Sequence, residues 1–165
     1  MTVEINIEVF GEKIISRRLL RLGERAIDAA PAFEAIALMF YDSEKKQFAS
    51  EGVWASGGWV PDKQATLNEK IRGGYSTLTL QRTGAMMHSL TEPDAPFSKK
   101  RVGPDFVEVM STVPYGKYHQ KGTTKMAMRK PVELNQATKT AMVKILQGWV
   151  LGGVAGGEEV VVGKI

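Results

Sequence analysis

The stretch "ISRRLLRLGERAIDAAPAFEAIALMF", Ile15 to Phe40, decides the fold class. Ile15, Leu19, Leu22, Ala26, Ala29, Phe33, Ile36 and Phe40 recur at steps of three and four. That spacing places side chains on one face of a helix. Arg17, Arg18, Arg21, Glu24, Arg25 and Asp28 fall mostly on the other face. Pro31 interrupts the pattern, because proline lacks an N–H and its ring clashes with the preceding turn. The stretch therefore predicts either a kinked helix or two helices, with Pro31 in the first turn of the second.

Upstream, Val3, Ile5, Ile7 and Val9 alternate with Thr2, Glu4, Asn6 and Glu8. Period two with β-branched residues predicts a half-buried strand ended by Gly11. Downstream, residues 42–79 lose clear periodicity and contain two Gly-Gly pairs and Pro61. Such a stretch predicts a long loop, of the kind that carries function or moves. Trp54 and Trp59 within it are either a partner surface or anchors of the loop to the core. "TLQRTGAMMHSLTE", Thr79 to Glu92, reads as a strand or a short helix leading into one, and "DFVEVMSTV", Asp105 to Val113, as a strand. Turn signals at Asp94–Phe97 and Val102–Pro104 then pair 85–92 with 105–113 in antiparallel fashion. A last helix begins at Asn135, a good N-cap, and puts Ala141, Met142, Ile145, Leu146 and Trp149 on one face. Gly148 or Gly152-Gly153 ends it. The tail "EEVVVGKI", Glu158 to Ile165, is a final strand or an arm that orders against a neighbour. The expected fold is α+β: an antiparallel or mixed sheet packed against a long N-terminal helix and a C-terminal helix. Loop 42–79 and an arm over 150–165 complete a single domain, 1–165.

The chain has 165 residues and no cysteine. Disulfides, thiolate metal sites and cysteine nucleophiles are excluded, and a reducing compartment is compatible. No apolar run reaches the ~18 residues of a membrane span, and "MTVEINIEVF" lacks the basic start and apolar block of a signal peptide. No membrane association and no export by the usual route are expected. Residues 99–130 hold Lys99, Lys100, Arg101, Lys117, Lys121, Lys125, Arg129 and Lys130 against Asp105 and Glu108, a net +6 in a chain whose total is +4. A cationic segment on a near-neutral body implies either a solvated basic face or an anionic partner, protein or nucleic acid.

Signals of catalysis are thin. His88 and His119 each stand alone, without a second ligand at helical or hairpin spacing. No G-x-S-x-G motif is present, and "RGGYST" and "GGVAGG" match neither a phosphate loop nor a dinucleotide fingerprint. The expectation is no catalytic residue, no cofactor and no metal. His119 is expected to pack beside Tyr115 and Tyr118 and to hydrogen-bond the backbone. An enzyme would require a partner histidine or carboxylate near His119.

The ordered features of the middle of the chain carry a family likeness. Phe48 and Glu51 precede Gly58 and Trp59, with Pro61 beyond and Lys70 in the loop. Leu80, Arg82, Thr83, Gly84, Ser89 and Leu90 follow. Then come Tyr115, His119, Gln120 and Gly122 within "YGKYHQKGT", and finally Met126, Arg129 and Pro131. Over roughly residues 12–150 this order resembles the virion morphogenesis, or tail completion, proteins of Mu-like phages. Those are related to the tail-terminator and head–tail joining proteins of long-tailed phages. The chain departs from the pattern at "MAMRKPVEL", where Lys130 separates the closing arginine from proline and Val132 stands in place of an aromatic.

The resemblance implies a bacteriophage virion structural protein of the neck: a subunit of a homo-oligomeric ring, commonly a hexamer. Such a ring caps the tail tube and joins it to the head, with the tail tube protein and head–tail connector proteins as partners. DNA passes through its channel. The protein would be assembled in the host cytoplasm and found in the virion. A ring subunit needs a rigid body with heterologous edges, and loops and terminal arms that order on assembly. Thr83, Gly84, Tyr115, His119, Gln120 and Gly122 are then a structural signature, with Tyr115, Tyr118 and His119 fixing a strand-to-loop corner. Trp54, Trp59, Lys99, Lys100, Arg101, Lys117, Lys121, Lys125, Arg129 and Lys130 are expected to meet a neighbouring subunit or DNA in the channel. The rival expectation is a nucleic-acid-binding protein that uses the 99–130 segment, with Tyr115 and Tyr118 as stacking platforms.

Overall fold

A computed structural model describes residues 12–152. The alternating segment at Val3–Val9 and the tail at Glu158–Ile165 lie outside the described residues. Among the described residues the fold is α+β, with seven helices and one two-stranded antiparallel sheet. None of those helices is long and apolar enough to cross a membrane.

The helical pattern of Ile15–Phe40 resolves into two helices, α1 (Glu12–Ile27) and α2 (Ala30–Ala49). Pro31 lies in the first turn of α2, where its missing N–H has no helical partner to lose. The Asp28 carboxylate accepts the Ala30 N–H at 3.0 Å, and the Ala29 N–H donates to Pro104 O at 2.9 Å. The break is therefore tied to the hairpin that follows later in the chain.

α2 is the axis of the molecule. Ala37, Tyr41, Glu44 and Phe48 are all buried and recur at steps of four, three and four. It packs against α3 (Val53–Ser56), α5 (Ala85–Thr91), α7 (Gln136–Val150) and both strands. The main core joins Phe48, Trp59, Met86, Leu90 and Val113, with Phe40, Leu80, Met87 and Val132 against it. Phe48 and Trp59 meet edge to face at 5.2 Å, a favoured aromatic geometry.

The long loop expected over 42–79 is corrected. α2 runs on to Ala49, and α3 and α4 (Gln64–Arg72) occupy much of the rest. Short helices separated by turns leave no sustained period to read. Gly52 makes the first turn possible. Its φ is +88°, and a Cβ there would overlap the Trp59 indole.

The expected pairing of 85–92 with 105–113 is also corrected. Residues 85–91 form α5, which buries Met86, Ser89 and Leu90 on one face. The strand at β2 (Val107–Ser111) pairs instead with β1 (Ser98–Val102), in register Ser98↔Ser111 through Val102↔Val107. One face of this hairpin rests on α2, where the Tyr41 and Ser98 hydroxyls lie 3.3 Å apart and Lys100 pairs with Glu34 at 2.7 Å. α6 (Gly116–Lys121) follows. α7 has the expected cap: the Asn135 side chain accepts the Thr138 N–H at 2.8 Å. The α7 face of Ala141, Met142, Ile145, Leu146 and Trp149 is half-buried. The Trp149 Nε1–H donates to Arg25 O at 3.2 Å and Asp28 O at 3.1 Å, fastening α7 to the end of α1.

Candidate functional site

The signature residues converge at α6 and the extended segment 128–132. "YGKYHQK" folds as α6 because Gly122, at φ +70°, terminates it where the Met128 backbone comes close. His119 O accepts the Arg129 N–H at 2.9 Å. The Gln120 side chain clasps Val132 from both sides, donating to its carbonyl at 2.9 Å and accepting its N–H at 3.2 Å. Gly84, at φ +75°, opens α5, and a Cβ there would press on the His88 ring at 2.9 Å. The Thr83 hydroxyl lies 3.5 Å from the Ala85 N–H. Tyr115 and the His119 ring meet edge to face at 6.0 Å.

The expected backbone hydrogen bond from the His119 ring is absent. Its Nδ1 is buried and has no partner among the described residues. Burial, and then the nearby Arg129 guanidinium, push the His119 pKa below the ordinary histidine value, with Asp62 acting in the opposite sense. Both causes penalise the charged ring.

His119 borders a cleft of about 490 Å³. Asp62, Lys70 and Arg129 meet at its base. The Lys70 ammonium donates to Asp62 at 2.7 Å and to Leu78 O at 2.8 Å, and its side chain is 4% exposed. Arg129 is likewise buried. Its Nε donates to Val60 O at 2.5 Å and its terminal nitrogen to Pro61 O at 3.0 Å, with Asp62 at 3.3 Å. Two buried cations thus share one carboxylate, and the carbonyls of 60, 61 and 78 accept further protons from them. Glu51 accepts the Thr79 N–H at 2.8 Å. Those Thr79 hydrogen bonds hold its carboxyl below the usual range. At the mouth, Arg82 pairs with Glu69 at 2.8 Å and lies over the Tyr75 ring at 4.8 Å. The network ties α4, segment 60–62, the 78–79 turn and segment 128–130 into one unit. Its chemistry is mutual satisfaction of charges within the chain.

The expected contact residues separate into two groups. Trp59 is 7% exposed, and its Nε1–H donates to Lys130 O at 2.9 Å. As a contact residue it is corrected: it anchors the core. Arg129 is corrected in the same way, being spent on the 60–62 turn. Lys130 pairs with Glu133 at 3.1 Å, Lys100 with Glu34, and Arg101 with Glu108 at 3.0 Å while lying over Phe106. Trp54 is 39% exposed and leans on α2, donating to Ser43 at 3.3 Å beneath the Lys46 ammonium. Lys99, Lys117, Lys121 and Lys125 are exposed and take no ion pair among the described residues. Lys117 lies over the Tyr118 ring at 5.0 Å.

Sequence reasoning missed Asp62 and Glu44. Asp62 follows Pro61 in a stretch that reads as polar loop, so nothing local marks it as the hub. Glu44 is an acid one helical turn from Tyr41 and Phe48, and that position on a buried face was its only signal. No family model matches the chain, and no curated protein or solved structure matches it either.

Proposed function

We propose that this protein is a bacteriophage virion structural protein of the head–tail junction, a tail terminator or tail completion protein. Copies form a ring that caps the tail tube and meets the tail tube protein on one side and head–tail connector proteins on the other. The observation that carries this is apolar surface left uncovered on a single copy. Leu19 is 62% exposed, Leu20 67%, Ile27 78%, Leu38 59% and Val143 54%. These lie on α1, α2 and α7, whose helical frames are otherwise well specified. Scattered exposed leucines are ordinary, but several on neighbouring helices mark a surface that a partner covers. Self-association through unlike faces closes into a ring when the rotation permits. The braced cluster at Lys70, Asp62 and Arg129 supplies the rigid body such a subunit needs, and the residues of the phage resemblance gather around it.

Light scattering and electron microscopy of the purified protein test this. Closed rings are the expected result. A monomer at all concentrations, together with absence from purified virions, would overturn it.

A second reading is favoured by one observation: Lys117 lies over the Tyr118 ring at 5.0 Å, Tyr115 and Tyr118 are 42% and 48% exposed, and Lys99, Lys121 and Lys125 are exposed as well. Cations beside exposed rings suit a single-stranded nucleic acid. A salt-sensitive gel shift by the isolated monomer favours this reading, and its absence at low salt removes it.

A further inference from the structure

We propose that the open edge of β2 takes residues 3–9 of a second copy of this chain as a third strand. The proposal rests on the assembly reading above and names the contact through which one copy holds the next.

The hairpin register defines the edge. Thr112 N–H donates to Phe97 O at 2.8 Å and Gly103 N–H to Phe106 O at 3.0 Å. Bonded positions of the ladder therefore fall on even-numbered residues of β2, and the backbone groups of Val107, Val109 and Ser111 point away from β1. Among the described residues no other strand lies beside them. Such a row of unpaired amides and carbonyls is a template for a further strand, and a two-stranded sheet gains stability from a third. A groove of about 640 Å³ runs along this edge. Met86 and Leu90 of α5 form one wall, Lys117 and Gln120 of α6 the other, with Val132 beside them.

The occupant is identified by pattern, charge and reach. In the segment 3–9, Val3, Ile5, Ile7 and Val9 share one face and Glu4, Asn6 and Glu8 the other. Its apolar face suits Met86, Leu90 and Val132, and its two acids suit the Lys117 rim. The segment is delivered by α1, which joins the body at its C-terminal end through Trp149. The described side chains from Ser16 to Arg21 are all exposed, so the helix stands off its own body. Its sixteen residues span about 24 Å, and the eleven residues before it reach up to about 36 Å more when extended. That geometry carries the segment outward to a neighbour.

Because the chain has no cysteine, disulfide trapping tests the contact directly. Full-length Val109→Cys protein is mixed with Val3→Cys, Ile5→Cys or Ile7→Cys protein under mild oxidation. The expected result is a covalent heterodimer for at least one partner of the three. Cross-linking to Val161→Cys instead would assign the edge to the C-terminal segment and overturn the proposal. Cross-linking only within single chains of a Val109→Cys, Ile5→Cys double variant would overturn it too. If wild type forms rings by light scattering but no trap forms, the strand contact fails while the ring reading stands. If wild type stays monomeric and no trap forms, both fail. A second variant, Ile5→Asp with Ile7→Asp, removes the apolar face that the proposal seats in the groove. It should keep the melting midpoint and weaken self-association by about tenfold or more. Unchanged association would sink the proposal.

Discussion

Glu44 is fully buried on α2, and among the described residues neither carboxylate oxygen has a well-formed hydrogen bond. Burial pushes its pKa from 4.5 up to about 8, with the Glu133 backbone offsetting only part of that cost. The consequence for stability has a definite sign. Below 4.5 both folded and unfolded chains hold the proton. Between 4.5 and 8 only the folded chain holds it, so stability falls as pH rises, by on the order of 1.4 kcal/mol per pH unit at most. Above 8 the curve is flat. Denaturant melts of Glu44→Gln should lack this part of the slope between pH 5 and pH 8, whatever the absolute midpoint. An unchanged slope would mean that Glu44 is ionised in the folded protein. Arg129 makes a second case at the same scale. A lysine cannot reproduce its fork to Val60 O, Pro61 O and Asp62. Arg129→Lys should lower stability by about 1–3 kcal/mol, and Arg129→Ala by more, since Asp62 loses one of its two buried cations and Val60 O and Pro61 O lose their donor. Wild-type stability in Arg129→Lys would show that the fork carries nothing beyond charge. Neither residue's place was legible beforehand. Arg129 read as one cation of a basic run, and only the tertiary fold turns it inward.

Elements were legible where a single period persists. Ile15–Phe40 and the α7 face were both readable because each repeats one apolar stripe over several turns. Asn135 was readable because capping is local chemistry. α5 was not, since seven residues with Met86, Ser89 and Leu90 inward resemble an irregular strand as much as a short helix. β1 was hidden for a different reason. "SKKRV" places three cations in a row, and only its pairing with β2 and the Lys100 contact to Glu34 make it a strand. The α2–α3 turn depends on Gly52, whose positive φ and contact with Trp59 leave no room for a side chain. Gly52→Ala should therefore cost about 2 kcal/mol or more. It should also red-shift the fluorescence of the buried Trp59 relative to wild type, as the displaced indole meets water. A neutral substitution would show that the turn can relax away from the indole.

At the scale of the whole molecule, net charge by segment was a poor guide to where charge is available. Four of the eight cations between Lys99 and Lys130 are held by Glu34, Glu108, Asp62 and Glu133. Two of those acids, Glu34 and Asp62, lie more than sixty residues away in sequence, so the charge count of the segment does not foresee them. The apolar surface of α1 behaves in the opposite way: Leu19 was read on the core face and is exposed in the single copy, beside Leu20 and Ile27. These two facts separate folding from assembly. Leu19 and Leu20 are 62% and 67% exposed, so Leu19→Glu with Leu20→Glu removes little buried area from the monomer. Its melting midpoint should stay close to wild type, as for other surface changes. If neighbouring copies cover α1, the same pair of acids must be desolvated or repelled on association. Sedimentation should then show the variant shifted to monomer at concentrations where wild type is oligomeric. A variant that assembled like wild type would free α1 of any role between subunits. It would leave the ring to form through α7 and the hairpin edge, whose contacts those acids do not touch.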